Sequence, residues 1–413
     1  MMQSLSHEAI QIFFLTNFAR LPKAHTKHIA IPRKISLTMA DQLIPAELLR
    51  TSKKILFVAH LAIGDFTYMQ NCFRDFAQHY PHIRMHLWVD ETRRTNDASQ
   101  WEGLSKYVLY DWIKSSGMFD KIYDKTYSPA LFQESIREAQ NEQYPIVVSF
   151  AVLRRHLYAK LARRLSPTGF VVAQKKRVFI LDIRKHLAYR KLDASILAYR
   201  SDQQRHNHIS AIYAGWFQQL FGFHISKERR FPFVDIPAYW LQRARATLTA
   251  ADIPADRKLI FLNAFSKSDE RNWPLERMLE LSNRMRSIDA WKDVHFIINV
   301  VPEKMPQARK LFASEHAERN YLFSADENFF QLPAILSLCS LIISVETSVI
   351  HLANAVHVPV IALMRQTSPE WTPIDAKNSA VTTTKNRKAW VKDISTEDLM
   401  YFLSRNFLGI PAY

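Results

Sequence analysis

Three short stretches of the sequence carry side chains able to do polar chemistry on a charged substrate. The first is "AIGD", where Gly64 and Asp65 follow the apolar run that begins at Lys54. A carboxylate there can cap the amides of a helix starting beside it. It can equally accept a proton from a hydroxyl nucleophile, and the dipeptide alone is compatible with both. The second stretch runs from Ser344 to Trp371. Glu346, Thr347, Ser348 and His351 stand at a passage from strand to helix, and Arg365 and Thr367 follow the next strand. A helix N-terminus offers unpaired N–H groups and the positive end of the macrodipole, a seat for a diphosphate. The hydroxyls and the imidazole are further donors, although His351 reads as well as a packed or capping histidine. The third stretch, Asn263 to Pro274, also leaves a strand for a helix and carries Ser266, Lys267, Ser268 and Arg271. Two such loops describe a phosphate-binding site, with solvated loop charge as the plainer reading of the third stretch.

These residues need elements to hold them. "KILFVAHL" reads as a strand covered on both faces, because the apolar run is continuous and not alternating. "TYMQNCFRDFAQHY" has helical spacing, and "RMHLWVDE" and "YPIVVSFAV" are further strands. Strand, helix, strand in this order implies a parallel, doubly wound sheet. Residues from about 175 to 250 are basic and mostly helical, with "SAIYAGWFQQLFGF" ending at Gly222 as a C-cap. The prolines of "FPFVDIPAYW" break regular structure and mark a hinge between domains. A second α/β unit follows, with strands in "RKLIFLNAF", "VHFIINVV", "SLIISVET" and "VPVIALM". Helices begin near Pro274, placed in a first turn, and at Ser348. The architecture expected is α/β: two Rossmann-like, doubly wound parallel-sheet domains with a cleft between them. The domains are a leader over 1–50, a first domain over 51–240 and a second over 241–395. A C-terminal helix and tail over 396–413 would pack back on the first domain. Ligands bind such sheets beyond the carboxyl ends of the strands.

Composition narrows the partners. With 48% hydrophobic and 12% aromatic residues the chain can bury sizeable cores. Against 39 acidic residues stand 55 Lys and Arg, a formal charge of +16, which favours an anionic partner. The cations come in small groups, including Arg154-Arg155, Lys175-Lys176-Arg177 and Arg184-Lys185, without a nucleic-acid-binding signature. Cys72 and Cys339 are far apart in apolar surroundings, which fits a reducing compartment. No apolar run reaches the roughly 20 residues that span a bilayer. The N-terminal "AIQIFFLTNFA" lacks a signal peptide's basic region and cleavage site, leaving a membrane-touching amphipathic helix or a packing segment. The chain reads as cytoplasmic, with peripheral contact to a membrane left open. Residues 223–408 contain no glycine, so phosphate in the second domain must be held by helix ends and side chains, not a glycine cradle. No acidic pair or histidine cluster stands out, and chemistry without a metal or cofactor is expected.

At the same three places the chain resembles the ADP-heptose:lipopolysaccharide heptosyltransferases, glycosyltransferases of family 9 with the GT-B fold, over roughly residues 53–375. "AIGD" is similar to the family's Gly-Asp after a strand, which carries the role of catalytic base to Asp65. "RNWP" matches the family's K-x-W-P with Arg271 at a phosphate-contacting lysine. "ETSVIHLANA" resembles D-T-G-x-x-H-L-A-A-A, placing Glu346, Thr347, Ser348 and His351 on the donor. "RQTSP" resembles G-P-T-x-P, retaining Thr367. Ser266, Lys267, Ser268, Glu303 and Arg365 are counted with the donor-binding set, and Gly64, Arg154, Arg155 and Arg184 with the acceptor-binding set. Glu346 is one methylene longer than the usual Asp, and Ser348 and Arg365 replace glycines, so the donor pocket is reshaped. The resemblance implies inverting, metal-independent transfer of heptose from ADP-heptose to an acidic, Kdo- or heptose-containing inner-core acceptor, with no nucleic-acid partner. Two other readings stay open: a GT-B transferase using another nucleotide sugar or a protein acceptor, and a catalytically inert nucleotide- or glycan-binding protein.

Overall fold

Long runs of buried aliphatic side chains build two parallel sheets, one in each of two units that divide between Arg230 and Phe231. That division falls at the first residue of the proline-containing stretch read as a hinge. In the computed structural model, residues 42–179, 181–197, 207–313 and 319–406 are described. Most of the expected leader lies outside them, and its described part ends in a short helix, Ala46–Thr51.

The first unit holds β1 (Lys54–Ala59), β2 (Arg84–Val89), β3 (Lys121–Tyr123), β4 (Ile146–Ser149), β5 (Phe170–Lys175) and β6 (Ala194–Leu197). They pair in the order β3-β2-β1-β4-β5-β6, all in parallel. The second unit holds β7 (Leu259–Asn263), β8 (His295–Asn299), β9 (Asn320–Phe323), β10 (Leu341–Val345), β11 (Val360–Met364) and β12 (Ser379–Thr383). Their order is β12-β11-β10-β7-β8-β9, again parallel throughout. Counting each sheet from its first strand gives 3-2-1-4-5-6 twice, the doubly wound order in which chain direction across the sheet reverses beside strand one. The switch points therefore lie between β1 and β4 and between β7 and β10. Two strand-to-helix loops leave each sheet there, the position at which doubly wound sheets bind ligands.

Side chains alternate across β1, so Leu56 and Val58 enter one core with Trp88, Tyr144, Val147 and Tyr158, while Phe57 points the other way. Phe57 meets Phe73, Phe76, Phe150 and Phe217 at ring-centroid distances of 5.0, 5.5, 5.8 and 6.1 Å. Phe73 and Phe76 come from helix Ile63–His79 and Phe217 from helix Ile209–Phe221. Aromatic pairs at these spacings add about 0.5–1.5 kcal/mol each beyond buried area, so this cluster fixes the two helices against the same sheet face. Gly222 ends the second helix with φ 79° and donates its N–H to the Gln218 carbonyl, the left-handed cap expected of it.

In the second unit, Ile260, Leu262, Phe296, Ile298, Ile343, Val345, Ile361 and Leu363 face Trp273, Met278, Leu281 and Met285. The C-terminal helix Thr396–Asn406 adds Leu399 and Leu403 to this same core. It was expected on the first domain; its two buried leucines fix it on the second. Pro274 also differs from expectation. It is the extended N-cap (φ −60°, ψ 138°) of helix Leu275–Arg286, one residue before the first helical turn.

Candidate active site

Asp65 follows β1 at the first switch point, in the first turn of helix Ile63–His79. The backbone turns through extended Ala62 (φ −94°, ψ 167°). Gly64 lies inside the helix, and the positive-φ glycines among the described residues are Gly117 and Gly222. Gly64 is therefore not what makes the tight turn. One Asp65 oxygen, Oδ2, accepts the Ala62 N–H at 2.9 Å, and Oδ1 accepts the Tyr213 hydroxyl at 2.6 Å. Both carboxylate oxygens are thereby held, by backbone on one side and by the aromatic-clamped helix Ile209–Phe221 on the other. The carboxylate remains half-buried, with lone pairs to spare for a further donor. The capping group and a half-buried acid at the strand end are thus the same side chain.

Beside it, His60 leaves β1 with its Nδ1 buried and unpartnered among the described residues. Burial pushes the His60 pKa down, with the nearby charges of Asp65 and Asp90 opposing that effect. Its ring lies 5.4 Å from that of Tyr158, whose hydroxyl donates to Asp90 Oδ2 at 2.7 Å. Asp90 is also paired with Arg94 at 2.5 Å. Asp90, Arg94 and Tyr158 border a cavity of about 140 Å³ that Glu91, Phe132, Arg154 and Leu157 also line. Arg154 reaches it from the loop after β4, in the left-handed region (φ 47°, ψ 36°), and caps helix Arg155–Leu165. For a residue with a Cβ that conformation costs roughly 1–2 kcal/mol, and such strain clusters at functional sites. Arg155 turns to Gln174, its Nε 3.4 Å from the amide oxygen. Arg184 is exposed on helix Ile183–Tyr189, after β5 and one strand farther from the switch point. Arg154 and Arg155 are thus together at the switch point, and Arg184 is not among them.

At the second switch point the loops after β7 and β10 meet. Trp273 anchors the first: its indole N–H donates to the Ile394 carbonyl at 2.7 Å and its backbone N–H to the Ala264 carbonyl at 2.9 Å. Ser266 and Ser268 shape the loop from within. The Ser266 N–H donates to Asn272 Oδ1 at 2.6 Å, its hydroxyl donates to the Ser268 carbonyl at 2.9 Å, and the Ser268 hydroxyl donates to Glu270 at 2.5 Å. Lys267 stays exposed. Arg271, at the end of the loop, lies 3.7 Å from Glu346 Oε1, and Arg365, after β11, lies 3.7 Å from Glu346 Oε2. Glu346 also accepts the Arg365 backbone N–H at 3.2 Å. Its side chain is 8% exposed. It therefore gathers two arginines by charge at distances too long for good hydrogen bonds. The Nε–H groups of both arginines are buried without a hydrogen-bond partner among the described residues.

Thr347 is the extended N-cap of helix Ser348–Ala355, and its side chain makes no capping hydrogen bond. The helix thus opens next to the arginines with a first turn not closed by its own cap. His351 is buried, its ring 5.6 Å from that of Trp371. Thr367 is exposed beyond Arg365, and Glu303 is exposed beyond β8, on the other side of β7. The site also recruits residues the motifs did not indicate. Asn263, at the end of β7, donates to Ser344 Oγ at 2.9 Å and accepts from Asn299 at 2.8 Å, locking the three strand ends together. Tyr213 reaches Asp65 across 148 residues of chain, a separation that leaves no local signal. His60, one residue beyond β1, ends an apolar run that reads as strand, and nothing in its spacing sets it apart. Among the described residues no group of three or more His, Cys, Asp or Glu side chains is gathered as a metal site would need.

A family model described as glycosyltransferase family 9 (heptosyltransferase) matches residues 215–400. Among curated proteins, none matches the chain. Solved structures do. A glycosyl transferase family 9 structure from Veillonella parvula aligns with a TM-score of 0.63 at 14% identity, over 86% of this chain and 97% of that one. The E. coli heptosyltransferase WaaC with ADP-2-deoxy-2-fluoro heptose gives 0.57 at 17% identity, over 86% and 99%. E. coli ADP-heptose lps heptosyltransferase II gives 0.60 at 12% identity, over 86% and 99%. At such identities the likeness is one of fold, and it is the GT-B architecture that the two sheets show.

Proposed function

We propose that the chain transfers heptose from ADP-heptose to an acidic inner-core sugar of lipopolysaccharide, with inversion and without a metal ion, a reading supported by the match of residues 215–400 to the glycosyltransferase family 9 (heptosyltransferase) model. The observation that carries this reading is the seat at the second switch point. There an uncapped helix start, Arg271 and Arg365 converge around buried Glu346, a site suited to a diphosphate. In the proposed reaction Asp65 takes the proton of an acceptor hydroxyl as its oxygen attacks the anomeric carbon. The bond from that carbon to the diphosphate oxygen breaks on the opposite face, and ADP departs with the electron pair. Arg271, Arg365, Lys267 and the first amides and hydroxyls of the helix at Thr347 and Ser348 stabilise the charge growing on the leaving group. Ser266 and Ser268 hold the loop in shape, and His351 packs beside Trp371. On the acceptor side, the cavity bordered by Arg154 and Arg94 suits a sugar carboxylate or phosphate, with Arg155 nearby. Glu303, Thr367 and Arg184 would touch the outer parts of the substrates.

The ADP-heptose analogue named with the WaaC structure supports ADP-heptose as donor. The bulk of Ser348 and Arg365, where the family resemblance has glycine, favours a second reading with another nucleotide sugar. We place the reaction in the cytoplasm, and two free, buried cysteines fit a reducing compartment. Thermal stabilisation by ADP-, GDP-, UDP- and dTDP-sugars, followed by transfer to truncated core acceptors, tests the proposal. A donor at 100 times its Kd adds about 2.7 kcal/mol. Preferential stabilisation by ADP-heptose with product formation supports it. Stabilisation by a different nucleotide sugar replaces the donor, and binding with neither transfer nor donor hydrolysis makes the chain an inert binding protein.

A further inference from the structure

Large apolar side chains left in water are concentrated in one place. Of the eight that are strongly exposed among the described residues, six fall between 153 and 187: Leu153, Leu157, Phe179, Leu181, Ile183 and Leu187. Phe179 and Leu181 are each 91% exposed. They belong to the start of helix Arg155–Leu165, the link after β5, and helix Ile183–Tyr189. These form one surface. The two helices pack together, with Tyr189 buried in a cluster with Ala159 and Ala173. The link is folded onto the second helix, the Phe179 carbonyl accepting the Asp182 N–H at 3.0 Å and lying 3.1 Å from His186 Nε2. The Asp182 carboxyl is paired with Lys185 of the second helix, which chiefly holds its pKa low.

Helix Ile183–Tyr189 buries Ala188 and Tyr189 and turns Ile183 and Leu187, four residues apart on one face, outward. Cations flank these apolar residues along the chain: Lys175, Lys176, Arg177, Arg184, Lys185, Arg190 and Lys191, with Asp182 as the one acid from 175 to 191. That acid is already neutralised by Lys185 at 2.5 Å. Exposed apolar patches of this kind mark interaction sites. A second copy of the chain, docked face to face, would set these cations against each other. A bilayer carrying anionic headgroups answers both features, since aliphatic and aromatic tips enter the interface while lysine and arginine meet phosphate.

We propose that this face docks the first unit onto an anionic lipid bilayer, with Phe179, Leu181, Ile183 and Leu187 in the headgroup region and the flanking lysines and arginines on lipid phosphates. The inference stands on residues outside the Asp65 loop and the diphosphate seat and does not rest on the proposed transfer reaction. Flotation of the full-length protein with phosphatidylglycerol/phosphatidylethanolamine vesicles, against pure phosphatidylcholine vesicles, tests it. The protein is expected on the anionic vesicles and in solution with the zwitterionic ones, with partial release at 0.5 M salt. Phe179→Ser with Leu181→Ser should weaken partitioning at least tenfold, and Lys176→Glu with Arg184→Glu by roughly fivefold per residue. Both pairs should keep the melting temperature of the parent, because these side chains lie outside the core. Three results overturn the proposal. One is failure of the parent protein to float with anionic vesicles. Another is flotation of both variants as the parent does, which puts the contact elsewhere. A dimer abolished by Phe179→Ser with Leu181→Ser, without vesicle binding, gives the face to a second copy.

Discussion

Asp65 is both a helix cap and the proposed base, and the two roles separate by substitution. Asp65→Asn keeps an acceptor for the Ala62 N–H, the backward half of a capping box that Asp65 makes from the third helical position. What it loses is the charge behind the Tyr213 hydrogen bond, the difference between a charge-assisted bond of about 1.5–3 kcal/mol and a neutral one of about 0.5–1.5. Stability should therefore fall by about 1 kcal/mol, a melting shift of roughly 2–4 °C. Asp65→Ala removes the hydrogen bond to the Ala62 N–H, about 1 kcal/mol, and strips the Tyr213 hydroxyl of its partner, about 1–3 more, so its loss should be about 2–4 kcal/mol. Tyr213→Phe leaves the carboxylate and its cap in place, costing about 1 kcal/mol and less than tenfold in kcat. A missing general base costs about 10²–10⁴-fold, and Asn and Ala should share that loss despite their unequal stabilities. Melting curves and sugar transfer at saturating donor, well below the melting temperature, read the two quantities separately. If Asp65→Asn keeps kcat within tenfold of the parent, Asp65 is a cap and not the base.

Glu346→Gln should destabilise the second unit by about 1–3 kcal/mol, less than full loss of a buried pair because Arg271 is 40% exposed. ADP should then stabilise the variant more than the parent, by an extra 2–4 °C, since its phosphates replace the missing charge between two arginines; an unchanged ADP shift in a melting assay would remove the arginines from the diphosphate seat. Arg154→Gly relieves the left-handed strain, about 1 kcal/mol, against a glycine's entropy cost of about 0.5–1. Urea denaturation should find stability nearly unchanged, while KM for an acidic acceptor rises about tenfold with the loss of one charged contact. Glu142 is held at about 2, chiefly by the Lys54 ammonium and also by Lys121, against the cost of its burial. A depressed carboxylate stabilises the fold above its unfolded pKa near 4.5 and loses that contribution as pH falls through about 2. Glu142→Gln should thus lower stability by about 1 kcal/mol at pH 6, solvent screening this part-exposed pair, with the gap closing toward pH 2 in urea melts.

How much of this was legible beforehand depends on burial. β1, β7, β8, β10 and β11 are apolar nearly throughout because helices cover both sheet faces, and such runs read directly from the sequence. The three-residue β3, with one of its residues buried, and the edge strand β12, which buries two of five, gave no such run. β5 and β6 fell in or beside a basic middle read as mostly helical; β5 ends in a lysine and β6 has four residues. The C-terminal helix was recognised but assigned to the wrong unit, because an amphipathic pattern says that a face is buried and not against what.

The sequence by itself determined which loops bring polar side chains to the ends of apolar strands. Gly64-Asp65, "NAFSKSDERNWP" and "ETSVIH" each leave an apolar strand for a helix, and that pattern is written within a dozen residues. The tertiary structure alone decided which of those loops share an edge. β4 lies beside β1 and β10 beside β7, so Arg154 belongs to the Asp65 edge while Arg184 does not, and Glu346 holds Arg271 and Arg365 together. It also decided that Asp65 is gripped by Tyr213, that Ser266 and Ser268 spend their hydroxyls inside their own loop, and that His351 is buried. Periodicity and capping are short-range consequences of backbone geometry, whereas strand order and cross-chain hydrogen bonds depend on packing among residues far apart in the chain.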